Sequence, residues 1–396
     1  MPSFRLTSAQ LGGGGQACSP PHGCGHGPVA YSPLLDTPGM DNKMLRPIVK
    51  RARRSDRLLQ VLSEYERFVI VTHDCPDPDA IASACALAPL LEYRLKRPAR
   101  IVAGGAVMRG ENLRMLELLK LPIDFVDELD VSDPRVAVIL VDSVPTAVNH
   151  LLANSGVEPV AVIDHHRPQG RPYRVRFRDI RPNLAATATI VTLYLREQNL
   201  PPTPLVATAL LYGIRTDAVG LPRMSVVDQR AAVWLMRFAD FSKLGEIENA
   251  PLSREYFSDL LLAMKNTFVY DDAALCFLPR AAGPEIVGEV ADLLIRCRDV
   301  NRLMCAAVLG GDVLFSVRTT AAGGDATELM RKAIEGVGYG GGHRRRAGGK
   351  LTVAARSGRI SEDLQTELRT RWLKACGIDS QRGTRLVTRR EILEDL

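Results

Sequence analysis

The sequence predicts an α/β protein, in which a parallel sheet with helices on both faces is joined through a helical linker to a smaller α+β domain. Three observations carry that prediction. Continuous apolar runs at 68–71, 136–141 and 160–163 alternate with segments of helical period, the pattern of strands buried on both faces of a parallel sheet. These runs lead directly into acidic or imidazole residues, and open α/β sheets bind their ligands beyond the carboxyl ends of their strands. Beyond residue 266 the pattern changes to short strands, two of them joined by the turn Gly310-Gly311-Asp312, followed by a glycine-rich loop.

Taken in order, residues 1–45 are rich in Gly, Pro and Ser, lack apolar periodicity, and are expected to be disordered. Cys18, His22, Cys24 and His26 stand too close together for a standard zinc finger. The segment has neither the apolar core of a secretory signal nor the Arg-rich amphipathic face of a transit peptide. Initiation at Met40 or Met44 is a hypothesis that peptide mass spectrometry would dismiss by finding Met1 in the mature chain. The basic run 50–54 leads into a helix with Leu58, Leu59, Leu62 and Tyr65 on one face. A strand at 68–71, a helix at 79–93, a strand at 100–103, a helix at 113–119, strands at 136–141 and 160–163, and helices at 185–198 and 226–240 fill a first domain over 55–240. The pattern loosens over 241–251 and resumes as a connecting helix at 254–265, so 241–266 reads as the linker. The second domain, 267–376, holds strands at 273–278, 304–309, 313–317 and 350–354 with helices at 285–296 and 327–334, and 377–396 is a charged, peripheral tail.

With 396 residues, 46% of them hydrophobic and 24% charged, the chain can fill two cores, and no run approaches the roughly 18 apolar residues of a membrane span. A net charge of +6 suits an anionic ligand without identifying one. The eight cysteines are scattered, several inside apolar patterns, which is the usage expected of a reducing cytoplasm.

His73, Asp77 and Asp79 fall within seven positions directly after the first buried run. Two carboxylates that close repel by roughly several kcal/mol in a partly dry site. A divalent cation relieves that repulsion, and carboxylate with imidazole suits Mn, Mg, Fe or Zn; an Asp at this place also suits a helix N-cap. Asp142 follows VAVILV, Asp164-His165-His166 follow VAVI, and Asp217 closes GIRTD, reading as further strand or loop ends. An ionised carboxylate after buried apolar residues must be paired, so their recurrence points to one polar centre.

In this order, HDCPDPDAIAS at 73–83, Val141-Asp142, Asp164-His165-His166 and GIRTD at 213–217 resemble the motifs of the DHH phosphoesterase superfamily. GYGGGHRRRAGG at 338–349 is similar to the glycine signature of the DHH-associated C-terminal domain. The likeness runs from about residue 68 through the second domain, and its size best matches the NrnA-like oligoribonuclease and pAp phosphatase branch. The resemblance implies two divalent ions, with manganese preferred. His73, Asp77 and Asp142 would hold one ion; Asp79, Asp142, His165 and Asp217 would hold the other, with Asp142 shared. His166 would touch the scissile phosphate or leaving oxygen, and Asp164 would orient a ligand. Substrate would meet Arg318, the backbone of Gly340, Gly341 and Gly342, and the side chains of His343, Arg344 and Arg345. Arg346, where the signature has a small residue, Ala218, where a hydroxyl is frequent, and Ala82, where Gly is common, depart from the pattern without removing a ligand.

A cytoplasmic enzyme is expected from the cysteine usage and no membrane partner from the lack of an apolar span, with a homodimer allowed. It would trim short oligonucleotides to mononucleotides and remove the 3′-phosphate of pAp in a cleft between the domains, with the linker permitting closure. RecJ-like exonucleases carry a longer nucleic-acid track, and cyclic dinucleotide phosphodiesterases usually carry sensory or membrane domains; neither addition is visible in the sequence. A non-catalytic nucleotide-binding regulator would lack a ligand, whereas every ligand position here is filled.

Overall fold

Neighbouring residues of strand β1 (Arg67–Val71) enter two different cores: Phe68 and Ile70 pack against helices, Val69 and Val71 against loops. Strands β4 (Val136–Val141) and β5 (Ala161–Asp164) divide their side chains the same way, which is why these runs are apolar throughout. In the computed structural model, which describes residues 53–387 except 154, 168–171, 219–223, 280, 282, 284, 353–359 and 380–381, they belong to a six-stranded sheet. With β2 (Ala99–Ala103), β3 (Asp124–Phe125) and β6 (Phe177–Ile180) the order is β3-β2-β1-β4-β5-β6, all parallel. The chain winds away from β1 in one direction and from β4 in the other. The crevice between their carboxyl ends is therefore the topological switch point, where such sheets bind ligands.

Helices α1 (Arg54–Leu62), α2 (Pro78–Leu95), α3 (Gly110–Leu119), α4 (Thr187–Glu197), α5 (Pro204–Asp217), α6 (Val226–Met236) and α7 (Phe241–Glu248) flank the sheet on one face, around Leu58, Leu87, Leu91, Tyr194 and Leu210. The other face is covered by Val126, Leu129, Val131, Leu151, Leu152 and Tyr173 from irregular segments, in place of the second helical layer expected. Right-handed connections explain the difference: steps in opposite directions along a sheet cross opposite faces. Those after β3, β4 and β5 contain no helix among the described residues. The short edge strands β3 and β6 escaped the sequence because one spans two residues and the other is interrupted by exposed Arg178. The loosened stretch 241–251 forms α7, whose N-terminus is capped by Asp240 accepting from the Lys243 N–H at 3.1 Å.

After α8 (Arg254–Lys265), strands β7 (Thr267–Tyr270), β8 (Ala273–Leu278), β9 (Arg302–Leu309), β10 (Asp312–Thr319), β11 (Tyr339–His343), β12 (Arg346–Thr352) and β13 (Thr384–Arg385) form a mixed sheet in the order β11-β12-β10-β9-β8-β7-β13. Only β8 and β9 are parallel, with α9 (Glu285–Leu294) crossing between them. Helices α10 (Ala326–Ala333) and α11 (Glu362–Cys376) cover one face; buried Trp372 of α11 donates its indole N–H to the Ala274 carbonyl at 3.1 Å. Helices α8 and α9 cover the β8–β9 part of the other. Two sequence expectations change here. The glycine run is a strand, not a loop, because β12 supplies the ladder partners that a low-propensity segment needs. The charged tail is not wholly peripheral, since β13 adds an edge to β7.

The expected disorder of residues 1–45, Cys18, His22, Cys24 and His26, and the alternative starts Met40 and Met44 all lie outside the described residues. Among the described residues no helix is long and apolar enough to cross a membrane.

Candidate metal centre

The chain leaves β1 through Thr72 and turns at Cys75, whose φ of 51° lies in the left-handed region, so that Asp77 caps α2. Its carboxylate accepts from the Ala80 N–H at 3.0 Å. The capping and cation-binding readings of this motif therefore coexist, because Asp77 Oδ1 also stands 3.9 Å from His73 Nε2. The His73 ring lies with Nδ1 2.9 Å from the Asp74 carbonyl, which aims Nε2 at Asp77 and, 3.7 Å away, at Asp142.

Asp142 directly follows β4 and is itself left-handed, with φ of 58°. Asp is among the few non-glycine residues that tolerate this region, and the turn leaves the buried carboxylate in the switch-point crevice. It accepts the Thr187 hydroxyl at 2.8 Å and faces His73, His165 and His166 at 3.6–3.8 Å. Asp79, fully buried on the first turn of α2, is gripped by the N-terminus of α4: its carboxylate accepts the N–H groups of Thr187 and Ala188, each at 2.7 Å. Burial drives its carboxyl well above the ordinary value, and the neighbouring Asp142 and Asp217 carboxylates drive it further.

His165 follows the same plan as His73. Its Nδ1 lies 3.3 Å from the Leu184 carbonyl, while Nε2 stands 3.0 Å from Asp217, 3.6 Å from Asp142 and 3.8 Å from Asp79. Burial opposes a charge on this ring, but the Asp217 contact and the surrounding carboxylates carry its pKa well above 6.5. Asp217 reaches this cluster from the last turn of a helix, not from the strand or loop end expected. Gly213, one turn earlier, allows the approach: a Cβ there would sit 3.0 Å from the Pro78 carbonyl and 3.1 Å from the Asp79 Cα.

His166 points differently. Asp164, wholly buried, accepts both its backbone N–H at 3.1 Å and its ring Nδ1–H at 2.7 Å, and the ring lines the open cleft.

Ligand atoms of His73, Asp77 and Asp142, of Asp79, His165 and Asp217, and of Asp142, His165 and His166 each lie within 4.8 Å of one another. The donor set fits divalent cations. Two imidazoles are tethered through Nδ1 and turn Nε2 toward carboxylates; that second contact fixes a ligand ring's tautomer and orientation. Carboxylates held this close under burial are mutually repelling without positive charge between them.

The cleft beside the cluster, about 860 Å3, is walled on one side by Ser143, Val144 and Val148 after β4, and on the other by Tyr339, Gly340, Gly341 and Gly342 of β11 with Gly348 and Lys350 of β12. Arg318 lines an adjoining hollow that shares Gly348 and Gly349 with it; its Nε donates to Asp292 at 2.6 Å, and Arg346 meets the same carboxylate at 3.3 Å. Arg344 and Arg345 form the turn between β11 and β12 and are not among the described residues that line the cleft. The His343 side chain lies outside the described residues.

Two contributors were missed by reading the sequence. Thr187 bonds both Asp79 and Asp142, and Asp228 holds that helix start in place, accepting from the Ala185 N–H and from the Thr189 hydroxyl at 2.7 Å. The only signal for Thr187 was a hydroxyl residue where a helix begins, which ordinarily denotes a cap.

Residues 67–214 match the DHH family, N-terminal domain. The chain carries a DHH domain. It is 32% identical over 287 residues to an uncharacterised protein of Methanocaldococcus jannaschii, covering 72% of this chain and 58% of that one. It is 28% identical to the A-adding tRNA nucleotidyltransferase of Geobacter sulfurreducens (76% of this chain, 35% of that one) and 29% identical to the cyclic-di-AMP phosphodiesterase GdpP of Bacillus subtilis (45% and 29%). The chain thus spans less than two thirds of each of these relatives. An exopolyphosphatase-related protein from Bacteroides fragilis shares the fold beyond the DHH domain, with a TM-score of 0.62 at 16% identity over 82% of this chain and 96% of that one.

Proposed function

We propose that this protein is a divalent-metal-dependent phosphoesterase that hydrolyses short oligonucleotides to mononucleotides and also removes the 3′-phosphate of pAp. The observation that carries this reading is the sharing within the cluster: Asp142 belongs to two of the three ligand groups and His165 to two, beside an open cleft. His73, Asp77 and Asp142 would hold one cation and Asp79, Asp142, His165 and Asp217 the other, with manganese preferred. Such ions supply Lewis-acid stabilisation of the charge that develops on phosphoryl oxygen.

The chain's own groups would do the rest. Asp164 holds the His166 ring at Nδ1, and although burial opposes protonation, that bond carries the pKa above its ordinary value. That bond favours the protonated ring beside the cleft, where it would deliver a proton to the leaving oxygen as water oxygen bonds to phosphorus and the P–O ester bond breaks, the water's proton then restoring the ring. Across the cleft, the glycine backbone at 340–342, where its N–H groups are not committed to β12, and the Arg318 guanidinium would hold the substrate; His343 is proposed with them. Arg344 and Arg345, at the hairpin turn, would contribute positive field more than direct contact.

The test is a substrate panel: purified protein with Mn2+ and a labelled dinucleotide, pAp, a long single strand and cyclic di-AMP. Fastest turnover of the dinucleotide is expected. Preference for the long strand would transfer the protein to the RecJ-like group. Preference for cyclic di-AMP, the substrate in the name of the Bacillus subtilis relative, would transfer it to the cyclic dinucleotide phosphodiesterases. Metal binding with no turnover of any of the four would make it a regulator.

A further inference from the structure

Side chains on β11 and β12 alternate between a packed face and an open one. Ala347 and Leu351 enter the core under α10, and a Cβ on Gly340 would meet Met330 of that helix at 3.3 Å. The register pairs Tyr339 with Lys350 and Gly341 with Gly348, which places these four on the opposite face, toward the cleft. Tyr339 therefore stands 53% exposed beside a patch that carries no side chain. It stands in register beside Lys350, which is anchored to Asp312 at 2.7 Å.

The facing wall, from the DHH domain, presents Val148 at 66% exposure. It lies on the segment that leaves Asp142, between the turn closed by the Ala147 N–H on the Val144 carbonyl and buried His150, whose ring Nε2 is 3.2 Å from the same carbonyl. Of the large apolar side chains left exposed on the described surface, Val148 and Tyr339 are the two that line this cleft, one from each wall. Water gains nothing from such a pair, and a phosphate chain would find no partner in it. A flat apolar ring would lie over the Gly341–Gly348 floor with the Tyr339 ring on one side and Val148 on the other.

We propose that Tyr339 and Val148 form a nucleobase clamp that makes the enzyme selective for base-bearing phosphoesters over base-free ones such as inorganic polyphosphate. The clamp rests on the phosphoesterase reading above, but it can be tested separately. Stacking of a base on an aromatic side chain is worth about 1–3 kcal/mol, roughly a fivefold to 150-fold effect.

Two measurements decide it. In the first, a dinucleotide is compared with an abasic diester of the same phosphate geometry. The ratio of kcat/KM values is expected to fall about tenfold in Tyr339→Ala, less in Val148→Ser, and to be retained in Tyr339→Phe. An unchanged ratio in Tyr339→Ala overturns the clamp. In the second, the metal-loaded protein binds a dinucleotide containing 2-aminopurine and a non-hydrolysable phosphonate linkage. Fluorescence quenching that is lost in Tyr339→Ala and kept in Tyr339→Phe supports the clamp, and equal quenching in wild type and Tyr339→Ala refutes it. If wild type turns over neither diester, the hydrolase reading fails and the quenching alone decides the clamp.

Discussion

The rim of the parallel sheet and the open face of the second sheet border one cleft with opposite means. The rim concentrates carboxylates and imidazoles, each fixed by a partner of its own: Asp79 by the start of α4, Asp142 by Thr187, His73 and His165 by backbone carbonyls, and His166 by Asp164. The second sheet presents backbone, with Gly341 opposite Gly348, and places its cations at the margins, Arg318 and Arg346 on Asp292 and Lys350 on Asp312. The contrast is one of tolerance. A cation centre fails when a ligand moves by a fraction of an ångström, and here Asp79, Asp142 and His165 are buried while His73, Asp77 and Asp217 are partly so. A surface proposed to receive substrate can remain exposed and adjustable. Under the proposed function, chemistry falls to the first region and selection to the second, and substitutions should separate the two.

The widest separation is expected at Asp142, the carboxylate common to both proposed cation positions. Asp142→Ala should reduce turnover by roughly a thousandfold or more while circular dichroism shows the fold kept; full activity in this variant would disprove the shared-ligand role. Next comes Thr187→Val, which keeps the volume and removes only the hydroxyl on Asp142. Loss of a group that orients a ligand typically costs about 10–100-fold in metal affinity or activity, so a titration with Mn2+ should shift by that amount, with the Asp79 contacts to backbone N–H groups intact. A shift no larger than twofold would reduce Thr187 to a packing residue.

On the other wall, Arg318→Ala should raise KM about tenfold with little change in kcat, since a hydrogen bond to a charged group is worth roughly 1.5–3 kcal/mol. Asp292 keeps Arg346 as a partner in that variant, so the fold should persist. A fall in kcat at constant KM would move Arg318 from the selecting side of the comparison to the chemical one.

The smallest effect concerns the rim without metal. Burial opposes a charge on His73, yet the Asp77 bond lifts its pKa from 6.5 to about 10. A raised pKa stabilises the folded state fully below pH 6.5 and loses that contribution as pH climbs toward 10; Asp79, also raised, acts with the same sign. Asp77 and Asp164, which are held low, act only near the ordinary carboxylate range and are flat in this window. In chelator, Tm should therefore drop by about 5 °C between pH 6.5 and 9.5. Saturating Mn2+ should flatten or reverse that slope, because cations require deprotonated ligands. A flat profile in chelator would show that His73 is not ion-paired.

Much of this was legible in one dimension because buried parallel strands write themselves as unbroken apolar runs, and charge placed directly after them has few explanations. Phe68 to Val71, Val136 to Val141 and the residues that follow each run declared both the sheet and its polar rim. Less legible were features that depend on a distant partner. The glycines at 340–342 have no strand propensity of their own and became a strand only on β12, and nothing local in the sequence singled out Thr187, whose partners Asp79 and Asp142 arrive from elsewhere in the chain.

By itself, then, the sequence determined which groups carry charge, where buried strands stop, and that the acids outnumber their local neutralising partners, since all of these follow from side-chain chemistry and a short period along the chain. Only the tertiary structure decided that the helical layer lies on one face, that Asp217 arrives on a helix end through the space left by Gly213, and that Tyr339 and Val148 line the same cleft. These depend on strand order and on close approach between segments far apart in the chain, which no local pattern of residues encodes.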